Sequence, residues 1–250
     1  MLSDIGDTAN ALKFYTAALE ADPLEPFALL FRSQAYENMG RIGDALADAD
    51  RLIAVPRTKL AATWYSDTRR RDFHTVALLH RADLLVAQGQ IEAAEKDFAA
   101  AVTHEPASNA RLERGSFLLR VDRDQEAAAD LQEAVRLEPE SDRAHYLLAL
   151  IRMREKRYDE ALDLFGTALR LNPKNGLAYF MQARVYRHFG RTDDAVESFE
   201  TAIAVRPKTL DDALPAMRVA GYLSSLERPR QMTKKLKDAI RACMSDPECN

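Results

Sequence analysis

Five histidines, two cysteines and several neighbouring carboxylates are the side chains in this 250-residue sequence whose types suit chemistry. His74, His80, His104, His145 and His188 are scattered, with none of the paired spacing that clusters zinc ligands. No His-Glu-x-x-His helix, glycine-rich phosphate loop, nucleophile elbow or Cys–His signature is present. Asp48 with Asp50 and Asp193 with Asp194 are pairs of a kind common in first turns and on solvated helix faces. Cys243 and Cys249 flank Met-Ser-Asp-Pro-Glu near the terminus. A disulfide between them would pin the tail onto the last helix in an oxidising compartment. Two separate thiols, with Cys243 packed and Cys249 loose, is the other reading. Catalytic residues, metal ligands and cofactor sites are therefore all expected to be absent, and the chain is expected not to be an enzyme.

The cations are a second candidate. Between Arg57 and His74 lie Trp64, Tyr65 and the run Arg69-Arg70-Arg71, in a stretch holding five cations against two carboxylates. Such a segment would suit an acidic partner, anionic lipid or a neighbouring domain, with Trp64 and Tyr65 as contact aromatics. The solvated start of a helix is the plainer reading. For the chain as a whole, the net charge of −4 and pI near 5.8 argue against a general nucleic-acid binder. No apolar run approaches the ~18 residues of a membrane span. The opening Met-Leu-Ser-Asp does not read as a signal peptide, so a soluble protein, cytoplasmic or periplasmic, is expected.

The elements that must position these side chains are helices. Glycine and proline are few, at nine and ten, and alanine, leucine and charged residues dominate. Asp142–Asn175 and Gly176–Thr209, laid in register, repeat one pattern over 34 residues. Ala149 and Ala183 stand at the eighth slot and Ala161 and Ala195 at the twentieth. Phe165 and Phe199 follow at the twenty-fourth slot, Ala168 and Ala202 at the twenty-seventh, and Pro173 and Pro207 close each unit. Small, large, small at helical spacing is a packing stripe.

Earlier stretches carry the same marks. Ser108–Pro139 has Gly115, Leu118, Ala127, Leu131 and Ala134, and Thr75–Pro106 has Ala82, Gly89, Ala94, Phe98 and Ala101. Pro26–Pro56 has Ser33, Gly40, Ala45, Ala49 and Leu52. Ala11, Tyr15, Ala18 and Pro23 fit the second half of a first unit, with Gly6 in the turn before it. That unit would lack its first helix. A fragment of a longer protein, or self-association through the bare flank of the truncated repeat, would account for it. After Pro207 the pattern fades into two expected capping helices, Leu210–Ser225 and Gln231–Met244.

This pattern resembles the tetratricopeptide repeat, whose period is 34 residues and whose signature includes A-x3-F and a closing proline. The family's tryptophan at the fourth slot is missing, with Leu29, Leu78, Arg111, His145 and Tyr179 in its place. The resemblance implies an all-α fold: a right-handed superhelical solenoid of stacked antiparallel helix pairs. Its parts would be residues 1–56 (N-terminal repeats), 57–74 (the basic and aromatic insertion), 75–207 (four repeats) and 208–250 (capping helices and tail).

The resemblance also implies where function lies, in a concave groove lined by slots two, five, nine, twelve and thirteen of each first helix. There the chain offers Leu112 and Arg120, then Arg143, Tyr146 and Arg154, then Phe180, Arg184, Arg187 and His188. Such a groove would suit a peptide with apolar anchors and an acidic or carboxylate end, because arginine grips a carboxylate through two parallel hydrogen bonds. The family's chaperone-tail clamp and its asparagine ladder are both missing. The expected function is a non-catalytic scaffold or adaptor for a protein or peptide partner. The alternative is a regulatory or partner-recruiting part of a larger envelope, secretion or enzyme protein.

Overall fold

The computed structural model describes residues 5–56, 73–104, 107–206 and 234–246. All the regular structure among them is helical. The helices are α1 (Ile5–Ala21), α2 (Pro26–Asn38), α3 (Ile42–Ile53), α4 (Phe73–Ala87), α5 (Ile91–His104) and α6 (Ser108–Arg120). Then come α7 (Asp124–Leu137), α8 (Asp142–Arg154), α9 (Tyr158–Leu171), α10 (Gly176–His188), α11 (Thr192–Val205) and α12 (Lys234–Ser245). The chain forms two compact units, Met1–Phe117 and Leu118–Asn250, whose boundary falls inside α6.

Each helix pair is closed by the same backbone device. Gly40, Gly89 and Gly190 have φ of 72°, 76° and 68°, and Asp122 and Lys156 reach 58° and 60° at the equivalent slot of the other two repeats. The left-handed residue lets the next amide return to the helix: Arg41 N–H donates to Tyr36 O at 2.9 Å and Arg157 N–H to Arg152 O at 2.8 Å. That six-to-one bond satisfies a carbonyl the helix end would leave orphaned. First helices begin on side-chain caps where one is present. The Glu25 carboxylate accepts from Ala28 N–H ahead of Pro26, and Asn175 Oδ1 accepts from Ala178 N–H at 3.0 Å.

Size at the repeat slots sets the packing. Ala45, Ala94, Ala127, Ala161 and Ala195 are all fully buried, so the two helices of a pair approach closely there. Phe98, Leu131, Phe165 and Phe199 fill the adjoining space, and Ala49 leaves a smaller volume in the second repeat.

A polar staple crosses the pair in the first unit. Arg32 Nε and Nη2 donate to the two Asp48 oxygens at 2.6 and 2.7 Å, and Arg81 grips Asp97 in the same way at 2.7 and 2.8 Å. Both aspartates are buried, at 3% and 6% exposure, sixteen residues after their arginines. In the second unit those slots hold Leu148 with Leu164, then Gln182 with Ser198, whose hydroxyl donates to Gln182 Oε1 at 3.2 Å.

One expectation shifts: Gly6 falls in the first turn of α1 instead of ahead of it. The last helix is present as α12 and lies against α11. The expected capping helix Leu210–Ser225, and the contact residues Trp64, Tyr65, Arg69, Arg70 and Arg71, lie outside the described residues.

Candidate functional site

In the second unit the first helices of successive repeats, α8 and α10, lie side by side. They carry most of the expected groove residues. Tyr146 is half-buried, its ring 6.1 Å from Phe165, and Phe180 is half-buried with its ring 5.7 Å from Phe199. Burial pushes the Tyr146 hydroxyl above its ordinary pKa, and the Arg206 charge pulls it partly back. These aromatics present an edge and anchor the rest in the core. Arg143 is exposed on the first turn of α8.

The cations of this face differ in what they already hold. Arg154 Nη1 donates to Asp124 Oδ1 at 2.6 Å, to Asp122 Oδ1 at 3.2 Å and to Leu119 O at 3.2 Å. It thereby ties the end of α8 to the turn between α6 and α7. Arg187 Nη2 donates to the backbone carbonyl of Asp246 at 2.9 Å, just past the end of α12. His188 packs against Tyr158, ring centroids 3.9 Å apart and planes tilted by 37°. Arg184, one turn before Arg187 and one turn after Phe180, is exposed. Its guanidinium contacts the Met181 sulfur at 3.7 Å and, among the described residues, meets no carboxylate. Arg120 is exposed at the end of α6, whereas Leu112 belongs to the first unit and is buried.

Arg206 ends a second helix and so stands outside the first-helix slots that the resemblance implies. It caps α11, and its side chain crosses Gly176: a Cβ added there would come within 2.6 Å of Arg206 Cβ. The Pro207 that follows was the available signal that a helix ends there with its last residue turned elsewhere. The expected C-terminal capping helix packs on the second helix of the last pair. α12 buries Ala239, Ile240 and Cys243. Lys237 Nζ meets Glu200 at 2.8 Å and Arg241 pairs with Asp193 on α11. A cleft of about 380 Å³ opens between the two helices, between Val196, Glu197 and Asp238. Cys243 is disulfide-bonded, and Cys249, the other cysteine of the sequence, lies outside the described residues.

The first unit carries a different face. Phe14, Tyr15, Phe31, Phe27 and Phe73 form a chain of rings with centroids 5.4–6.1 Å apart, and Phe14 is 72% exposed. Beside it the Ser33 hydroxyl donates to Ala45 O at 2.7 Å and stands 2.7 Å from His80 Nε2. A hydroxyl has one proton, so His80 Nε2–H must be the donor to Ser33. Its Nδ1 then faces Glu37 at 3.9 Å. Burial lowers the His80 pKa to about 4, and burial with the Asp83 charge raises that of Glu37. Among the described residues there is no group of three side chains able to hold a metal ion, and no helix long and apolar enough to cross a membrane.

The tetratricopeptide repeat family model matches residues 2–65, 79–137, 125–175 and 146–208. The chain belongs to the tetratricopeptide repeat family. Its superhelical helix-pair fold recurs in solved structures. Pseudomonas aeruginosa pilF aligns with a TM-score of 0.62 at 17% identity, over 85% of this chain and 84% of that one. YrrB, described as a TPR protein with an unusual peptide-binding site, aligns with a TM-score of 0.52 at 18% identity, over 79% and 96%. Among curated relatives, the DnaJ homolog subfamily C member 3 of Rattus norvegicus is 30% identical over 150 residues. That match covers 60% of this chain and 26% of the relative, so the repeat chain spans about a quarter of the relative's length.

Proposed function

We propose that this repeat protein is a non-catalytic scaffold that holds a peptide with an acidic or carboxylate-bearing end on the exposed face of α8 and α10. The observation that carries this reading is Arg184. The neighbouring arginines Arg152, Arg154, Arg157 and Arg191 each meet a carboxylate of their own chain, and Arg184 meets a thioether. An exposed guanidinium beside Phe180 offers a charged fork next to an apolar edge, which suits a carboxylate following an apolar anchor. YrrB's described peptide-binding site gives the reading a precedent within the fold.

The test is titration of a labelled Glu-rich peptide with a free C-terminus. Arg184→Glu should weaken binding at least about tenfold, the effect of losing one charge-assisted pair. Unchanged affinity with intact helicity would sink the proposal.

A second reading is favoured by the length of the curated relatives: the repeats act as the partner-recruiting part of a larger protein. Discovery of a catalytic or membrane domain in the same gene would support it. The disulfide-bonded Cys243 supports an oxidising compartment for either reading.

A further inference from the structure

The first unit sets two hydrogen-bond acceptors face to face with no donor between them. His80 gives its Nε2 proton to Ser33, whose own proton goes to Ala45 O, so His80 Nδ1 carries a lone pair. The His80 side chain is only 10% exposed, and no described residue donates to Nδ1. Nδ1 instead faces Glu37 Oε2, 3.9 Å away at the end of α2. The Glu37 carboxylate meets no lysine or arginine among the described residues. Burial and the Asp83 charge raise its pKa, the reverse of what a neighbouring cation does. The imidazole does not supply the missing charge, because burial lowers the His80 pKa to about 4.

We infer that this edge of α2 and α4 receives a lysine side chain from a partner protein, its ammonium bridging Glu37 Oε2 and His80 Nδ1. One nitrogen about 2.8 Å from each acceptor spans the gap between them. The ammonium is a compact charge with three donors on a four-carbon stem, which reaches a recessed imidazole. A guanidinium fork matches the two oxygens of one carboxylate instead, and an α-amine has no stem. Phe31, six residues before Glu37 on α2, is 41% exposed and stacks on Phe27. It lies about 9 Å back along the helix axis, a span of roughly three residues in an extended peptide. An apolar side chain three positions from the lysine therefore has an aromatic surface to meet. This site belongs to the first unit alone and asks for the opposite charge to the Arg184 face.

The experiment titrates the full chain into a fluorescein-labelled glycine peptide, capped at both ends, that carries one leucine and, three residues on, one lysine. Glu37→Gln, a change at an exposed position that leaves the His80–Ser33 bond in place, should weaken binding at least about tenfold. Acetylating the lysine should do the same, and exchanging it for arginine should weaken binding severalfold. In chain labelled with nitrogen-15 histidine, saturating peptide should move the Nδ1 resonance of His80 as that atom gains a donor. The signal is assigned by its loss in His80→Gln. Equal binding of the acetylated peptide, or unchanged affinity in Glu37→Gln, overturns the site. Arginine binding as tightly as lysine overturns the choice of cation, and an unmoved Nδ1 resonance overturns the bridge. No binding of the lysine peptide at millimolar concentration overturns the whole inference and leaves the Arg184 reading untouched.

Discussion

His80 shows how one side chain can tie acidity to stability in the first unit. It is neutral in the folded chain, donates through Nε2 to Ser33, and has its pKa lowered to about 4 by burial. In the unfolded chain it titrates near 6.5. Above that value neither state binds the proton and the residue adds no pH dependence. As pH falls from about 6.5 to about 4, the unfolded chain protonates first and the fold loses stability, by up to about 3 kcal/mol. Glu37 works in the opposite sense, because its folded pKa is raised: as pH falls through the carboxylate range, the folded chain takes up its proton first and gains. His80→Gln retains a donor toward Ser33 and removes the titration. Urea unfolding across this window should therefore give a flatter stability profile for His80→Gln than for the parent. Parallel profiles would show that His80 does not titrate as its burial implies.

The staple argues at the scale of the helix pair. Arg81 also reaches Asp50 on the preceding pair at 2.8 Å, so one side chain ties three helices. Arg81→Ala leaves Asp97 buried without its partner and should cost about 3–5 kcal/mol in denaturant unfolding. The second unit indicates the remedy, since Leu148 and Leu164 occupy the same two slots. Arg81→Leu with Asp97→Leu should recover most of that loss, because the buried charge goes with its partner. A double variant no more stable than Arg81→Ala would mean the pair is irreplaceable at this position.

What was legible from the sequence follows from the same elements. The buried alanines and aromatics are dictated by size, and size is written in residue type, so the repeat could be read directly. Asp48 and Asp97 could not, because an aspartate amid a helical pattern reads as solvated face until its arginine sixteen residues earlier is seen to fold over it. Asp122 and Lys156 hide their left-handed turns, since glycine is the usual mark of one. The candidate site was half visible. Arg154 and Arg184 look alike as repeat positions, yet one has carboxylates brought from thirty residues away and the other has a methionine of its own helix. The contact of Arg187 with Asp246 spans 59 residues, beyond the reach of any periodicity.

At the scale of the whole molecule, a chain of stacked pairs has no single core: each pair leans on its neighbours, so stability is a sum of local terms. Two compact units divided inside α6 carry that logic further. A change in one should register there and fade with distance along the repeats. Lys156 gives a clean probe in the second unit. It is exposed and holds φ of 60°, a conformation that costs a residue with a side chain about 1 kcal/mol relative to glycine. Lys156→Gly should therefore raise hydrogen-exchange protection in α8–α10 by roughly that amount and leave α2–α4 unchanged. Arg81→Ala should do the converse, exposing α3–α5 while α9–α11 keep their protection. If either substitution shifted every helix equally, the chain would unfold as one cooperative block.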